Sequence, residues 1–209
     1  MIHLQPQNRK ITFIKRKLFF SIVFLGFINA TTVGEKTLPT NTITSPKLVA
    51  YNIPYLEKDF VGFKEALAFK ESQGKYSSVN TLGYLGKYQF GRYTLERFNI
   101  YNTNSFLKDP ELQEKVFVAY CKVNRWILRK DIKRSVGKTI NGVKITESGI
   151  LAAAHLAGPG SVKRYLRSYG ALGFADAYGT DITSYMRKFS GYDTSFVIPS
   201  QKSKVNLFE

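Results

Sequence analysis

The chain has 209 residues, 44% of them hydrophobic, with 31 Lys+Arg against 15 Asp+Glu and a formal net charge of +16. That length fits one domain plus appendages, and that apolar fraction excludes a chain disordered throughout. A single cysteine, Cys121, excludes an internal disulfide, and two histidines are too few for the usual His/Cys zinc sites, so no metal or cofactor is expected.

Residues 1–30 read as a signal peptide. Arg9, Lys10, Lys15, Arg16 and Lys17 form a basic start with no acid nearby, and Leu18 to Ile28 is an apolar run of 11. A membrane-spanning helix needs roughly 20 such residues. Ile28-Asn29-Ala30 is an acceptable cleavage site, and an uncleaved N-terminal anchor is the alternative. With no cysteine at the site, a lipoprotein anchor is not supported. Past residue 30 the chain keeps 26 Lys+Arg against 15 Asp+Glu, a balance of +11. An exported protein of that charge suits an anionic partner in a bacterial envelope, in the periplasm or outside the cell. Nucleic acid fits the charge but not the export, and no nucleic-acid partner is expected. Residues 31–56, rich in Thr, Pro, Ser and Asn, read as a flexible linker.

The first helix is predicted from about Asp59 to Gln73, with Asp59 as N-cap and Gly74 as the stop. Phe60, Phe63 and Leu67 recur at helical spacing. At about 100° per residue, Glu71 falls within roughly 20° of Phe60 and 40° of Leu67, on the apolar face. Glu65 lies about 120° from it and reads as surface. A carboxylate on a buried stripe loses solvation, which favours its protonated form, the form a general acid requires. The competing reading is a carboxylate that caps the helix end or pairs with a lysine. Lys75 to Gly91 has no helical period, and its glycines and tyrosines suggest a loop or a short irregular hairpin.

Arg92 to Phe98 reads as a short helix. Asp109-Pro110 opens a longer one, with Leu112, Val116, Ala119, Tyr120, Val123 and Ile127 at three- and four-residue steps. Cys121 lies in that helix as a small buried hydrophobe. Arg129 to Lys144 reads as an exposed basic excursion with an Asn141-Gly142 turn. Thr146 caps a helix of small and branched residues that ends at Gly158-Pro159-Gly160. Ser161 starts the next helix and Asp181 the last. Residues 196–209 read as a flexible tail. The domain proper is 57–195, a monomer of the mainly α class with a short irregular or β-like segment after its first helix.

Three pieces of sequence, in this order, resemble the catalytic core of lytic transglycosylases in the lysozyme-like superfamily, closest to phage-type members. They are Glu71-Ser72-Gln73-Gly74 with Tyr76, the run Gly83-Tyr84-Leu85-Gly86-Lys87-Tyr88-Gln89-Phe90-Gly91, and Ala157-Gly158-Pro159-Gly160. The resemblance covers roughly Asp59 to Asp193. It implies a lysozyme-like helical domain acting on peptidoglycan glycan strands. Glu71 would be the single acid/base, cleaving between N-acetylmuramic acid and N-acetylglucosamine and leaving a 1,6-anhydro end. It implies substrate contacts from Ser72, Asn80, Tyr84, Tyr88, Gln89, His155 and Tyr185, with Tyr178 as a looser candidate. Ser72 is equally readable as a helix-end hydroxyl bonding backbone, Tyr84 as a packed ring, and His155 as a core histidine. The chain departs from the family's Ala-Tyr-Asn-Ala-Gly pattern: His155 and Leu156 stand at its tyrosine and asparagine.

Hydrolytic glycosidases usually need a second carboxylate. Ser72 to Leu95 contains no Asp or Glu, so the wall expected to face Glu71 offers none. That suits a transglycosylase, in which the substrate's own C6 hydroxyl replaces water. A goose-type muramidase using Asp109, Asp176 or Asp181, and a non-catalytic peptidoglycan-binding domain, are the alternatives.

Overall fold

Each long helix begins where a short polar side chain takes the first free backbone N–H groups. The computed structural model describes residues 57–175 and 179–205. The expected signal peptide and linker, and Asp176 and Tyr178, lie outside the described residues. Helix α1 is Phe60–Ser72, capped by Asp59, whose Oδ1 accepts the Gly62 N–H at 2.7 Å. It ends at Gln73, which is left-handed at φ 59°. Two short helices follow, α2 (Arg92–Glu96) and α3 (Thr103–Leu107). Helix α4 is Pro110–Ser135, with Asp109 as N-cap and Pro110 in the first turn, where its missing N–H costs nothing. Strands β1 (Thr139–Ile140) and β2 (Val143–Lys144) pair antiparallel in the register Thr139 with Lys144 and Ile140 with Val143. The expected Asn141-Gly142 turn joins them, both residues at positive φ. Helix α5 is Glu147–Arg167, capped by Thr146 and broken at Gly158, whose φ of 73° is left-handed. Helix α6 is Ile182–Lys188, capped by Asp181.

Helix α5 is the axis of the fold, and α4 and α6 pack against it. Ile150, Leu151, Ala152, Ala153 and Ala154 are fully buried on it, and the three alanines let its neighbours approach closely. Phe63 and Leu67 of α1 are fully buried too. The Phe63 ring meets Phe117 of α4 at 6.3 Å and Phe189, just past the end of α6, at 6.4 Å. Each such side chain contributes roughly 1.5–3 kcal/mol by leaving water. Among the described residues the result is mainly helical, with one two-stranded sheet. After α1 the chain makes a β-like loop, with isolated antiparallel bridges Val79 to Leu85 and Leu85 to Phe90.

Three stretches differ from expectation. The basic run after Arg129 is helical to Ser135, because it is amphipathic rather than loose: Leu128, Asp131 and Ser135 are buried. Asp131 is held by Arg134 at 2.5 Å and by Arg167 of α5 at 2.9 Å. Helix α3 was not anticipated, being too short to carry a period. Residues 196–205 are packed rather than loose. Phe196 stacks on Phe60 with ring centres 5.1 Å apart, and Val197 is fully buried. Arg125 donates to the Val197 carbonyl, and the Ser200 N–H donates to the Lys122 carbonyl at 3.1 Å. Among the described residues no helix is long and apolar enough to cross a membrane.

Candidate active site

A cleft of about 460 Å³ opens where α1 ends, between the β-like loop, α5 and α6. It is lined by Glu71, Asn80, Tyr84, Gln89, His155 and Tyr185, six of the eight residues singled out from sequence. A smaller space of about 290 Å³ shares Tyr84, Gln89 and His155 with it and runs on past Leu156 to Gly158. Among the described residues, Glu71 is the one carboxylate lining either space. The positions Asp109 and Asp181, weighed as second carboxylates, are instead N-caps of α4 and α6, accepting the Leu112 and Ser184 N–H groups.

Glu71 sits in the last turn of α1, half-buried rather than buried. Helical phase places it on the apolar face, but the helix stops one residue later, so that face opens into the cleft at this end. Its Oε1 accepts the Tyr185 hydroxyl at 2.5 Å. Tyr185 is buried on α6, and its ring lies 5.2 Å from that of Phe189. A rigid aromatic therefore fixes one carboxylate oxygen and leaves Oε2 for other work.

The loop wall is built around backbone. Asn80 Oδ1 accepts from Leu82 and Tyr84 N–H at 2.9 and 3.0 Å, closing the turn that presents Tyr84. Tyr84 is 43% exposed, so its ring faces the cleft rather than the core. Gln89 adopts φ 51°, and its Nε2 donates to the Gly86 carbonyl at 2.9 Å. Gly86 is required twice over: its φ is 75°, and a Cβ there would stand 2.2 Å from Gln113 Oε1. Gln113, buried on α4, accepts the Lys87 N–H at 2.8 Å and donates to the Tyr76 and Phe106 carbonyls.

Two sequence candidates do not line the cleft. Tyr88 is fully buried, stacked on Phe117 at 4.1 Å, with its hydroxyl donating to Glu114 at 2.8 Å. A groove-lining role for it is overturned, since the ring fills the core beneath the loop. Burial and the Glu114 charge raise its pKa. Ser72 donates to the Lys87 carbonyl at 2.7 Å and accepts the Lys75 N–H at 3.0 Å. It bolts the loop to the end of α1 and leaves the cleft to Glu71.

His155 joins the wall to α5. Its Nε2 meets the Tyr88 carbonyl at 2.7 Å, and a carbonyl only accepts, so the proton is on Nε2. Burial lowers its pKa, against the opposing pull of Glu71 and of the Tyr88 carbonyl. The ring is therefore neutral near pH 7, and Nδ1 is a buried acceptor with no partner among the described residues.

Sequence reasoning missed the polar cluster beneath the loop. Glu114 of α4 accepts from Lys64 (2.6 Å), Lys87 (2.7 Å), Tyr76 (2.8 Å) and Tyr88 (2.8 Å). Burial opposes its charge, but these four donors outweigh that and hold its pKa at about 2. Lys87 is nearly buried and also bonds Glu65 at 2.7 Å, so Glu65 is a partner of the loop rather than free surface. Burial opposes the Lys87 charge as well, and its bonds to Glu114, Glu65 and Tyr76 nevertheless raise its pKa. The available sign was Glu114 itself, an acid at three-residue spacing from the buried Phe117.

No protein-family model, no curated protein and no solved structure matches this chain.

Proposed function

We propose that this chain is an exported lytic transglycosylase with a lysozyme-like catalytic domain, acting on the glycan strands of peptidoglycan in the periplasm or outside the cell. The observation that carries the reading is Glu71: one carboxylate, oriented by a tyrosine, in a cleft without a second acid among the described residues. Retaining and inverting hydrolases usually place two carboxyl groups across the scissile bond. A single one suits a reaction that uses the substrate's own hydroxyl.

In this reading Glu71 Oε2 donates its proton to the bridging oxygen as the bond from the muramoyl C1 breaks. The glucosamine leaves as an alcohol, and the cationic C1 is stabilised by the substrate's own N-acetyl group. The carboxylate then takes the proton of the muramoyl C6 hydroxyl, whose oxygen closes on C1. Glu71 ends protonated as it began, and no water is consumed. Tyr185, by bonding Oε1, keeps Oε2 pointed at the reacting oxygen. Tyr84 offers an exposed ring against which a sugar face packs. Gln89 and Asn80 supply polar contacts to amide and hydroxyl groups of the sugar.

The test is mass spectrometry of the soluble products from purified peptidoglycan. The expected muropeptides are lighter by one water than hydrated ones and resist borohydride. Glu71→Gln keeps an acceptor for Tyr185, so it folds normally and loses about 10³-fold or more of the rate. Hydrated, reducible ends would make the protein a muramidase. Binding to sacculi without products, unchanged in Glu71→Gln, would make it a binding domain.

A further inference from the structure

On the face formed by α1, α4 and residues 196–205 lies a groove of about 720 Å³ that the proposed reaction does not use. Its floor is apolar. Phe60 and Phe196 stack there, yet Phe196 stays 63% exposed, and Val61 beside them is 51% exposed. Val118 and Ala119 continue the floor along α4. Large side chains left in water in one concave strip mark a surface that something covers.

Acids and lysines both line the groove. Its acids, Asp59 and Asp193 near the start of α1 and Glu114 on α4, are each occupied within the chain. Asp59 caps α1, and Asp193, whose own N–H is bonded to the Lys58 carbonyl at 2.6 Å, accepts the Ser195 N–H. Glu114 is taken by its four donors. Of the lysines that line it, Lys64 is held by Glu114, which leaves Lys115 and Lys122 on α4 and Lys204 beyond it. Lys122 and Lys204 form no ion pair among the described residues, and Lys115 reaches only the exposed Glu111 on its own helix. Lys115 and Lys122 stand seven residues apart, two helical turns or roughly 10 Å on one face, flanking Val118 and Ala119.

We infer that this groove docks an acidic amphipathic helix of a partner protein. The partner would lay an apolar stripe on Phe60, Val118 and Phe196, with carboxylates two turns apart opposite Lys115 and Lys122. An anionic lipid would share the charge but needs no such spacing. The paired lysines on a straight helical edge therefore favour the peptide.

The experiment uses the full chain and a displayed library of 14-residue amphipathic helices with a fixed leucine stripe and randomised flanks. Selection should enrich Glu and Asp at positions seven apart. The selected peptides should bind at least about tenfold more weakly to the Lys122→Glu/Lys204→Glu chain and lose affinity as salt rises. Lys204 is exposed, and the half-buried Lys122 forms no ion pair among the described residues, so the double variant should keep the wild-type melting curve. Enrichment that ignores charge, equal binding to the double variant, or no enrichment over neutral peptides would overturn the proposal. So would binding of vesicles containing anionic phospholipid that the double variant loses, since a lipid would then be the occupant. Tighter peptide binding by a chain ended at Val205 would assign the groove to residues 206–209, again overturning it. None of these results depends on Glu71, so the outcome stands apart from the proposed activity.

Discussion

The Tyr185 hydroxyl bonds Glu71 at 2.5 Å, which leaves one carboxylate oxygen no freedom to turn. Tyr185→Phe removes that restraint while keeping the ring on Phe189. In the proposed reaction the expected loss is in kcat, by about 10- to 100-fold, with KM close to wild type, because orientation matters most as the proton moves. The melting point should shift by no more than the loss of one hydrogen bond, about 1 kcal/mol. A matching fall in stability and activity would instead make Tyr185 a packing residue. Tyr88 is the instructive contrast. In sequence it stands beside Gln89 in a loop that also holds Tyr76 and Tyr84, and nothing in the spacing distinguishes the two. What separates them is the ring of Phe117, which lies beneath one and not the other. Alternation across a left-handed residue such as Gln89 at φ 51° turns neighbours in directions a linear pattern cannot give.

At the scale of elements, the helix starts were readable and the helix ends less so. Asp59, Asp109-Pro110, Thr146 and Asp181 are short acceptors beside apolar periods, and each is observed as a cap. The end of α4 was hidden because Arg129 to Arg134 presents charge to the reader. The buried Asp131 becomes intelligible only when Arg167, on another helix, is seen to hold it. The loop between α1 and α2 was legible as irregular, but its support was not, because that support is Gln113 and Glu114 on α4. Gly86→Ala tests that support. Its Cβ would collide with Gln113 at a left-handed position. The variant should lose about 2 kcal/mol or more in denaturant titration and, with the wall displaced, most of its turnover. Unchanged stability would mean that Gln113 yields without cost.

For the whole molecule, acid is the revealing perturbant. Glu114 is held near 2 against an ordinary 4.5. A folded pKa below the unfolded one means stability that is complete above the unfolded value and drains away as pH falls from about 4.5 toward 2. His155 works in the same direction at higher pH. Its folded pKa lies below the ordinary 6.5, so the unfolded chain takes up a proton first and stability begins to fall below that value. Denaturant midpoints across this range should fall in two stages. Glu114→Gln should flatten the lower stage while starting from a less stable protein, since Lys87 is then left with Glu65 as its carboxylate. A single unbroken slope in both proteins would contradict the assignment.

The bond between Glu71 and Tyr185 joins residues 114 positions apart, and the Asp193 N–H reaches back to the Lys58 carbonyl to close the chain near its described limits. The α4–α5–α6 stack, by contrast, is made of neighbours in sequence. Closing a long loop is entropically slow, and local helices form well before it. The acid and the tyrosine that orients it therefore meet late in folding. On refolding from denaturant, helical ellipticity should return ahead of a competent cleft, and a chain leaving the ribosome would hold its stack of helices before its carboxylate has a partner.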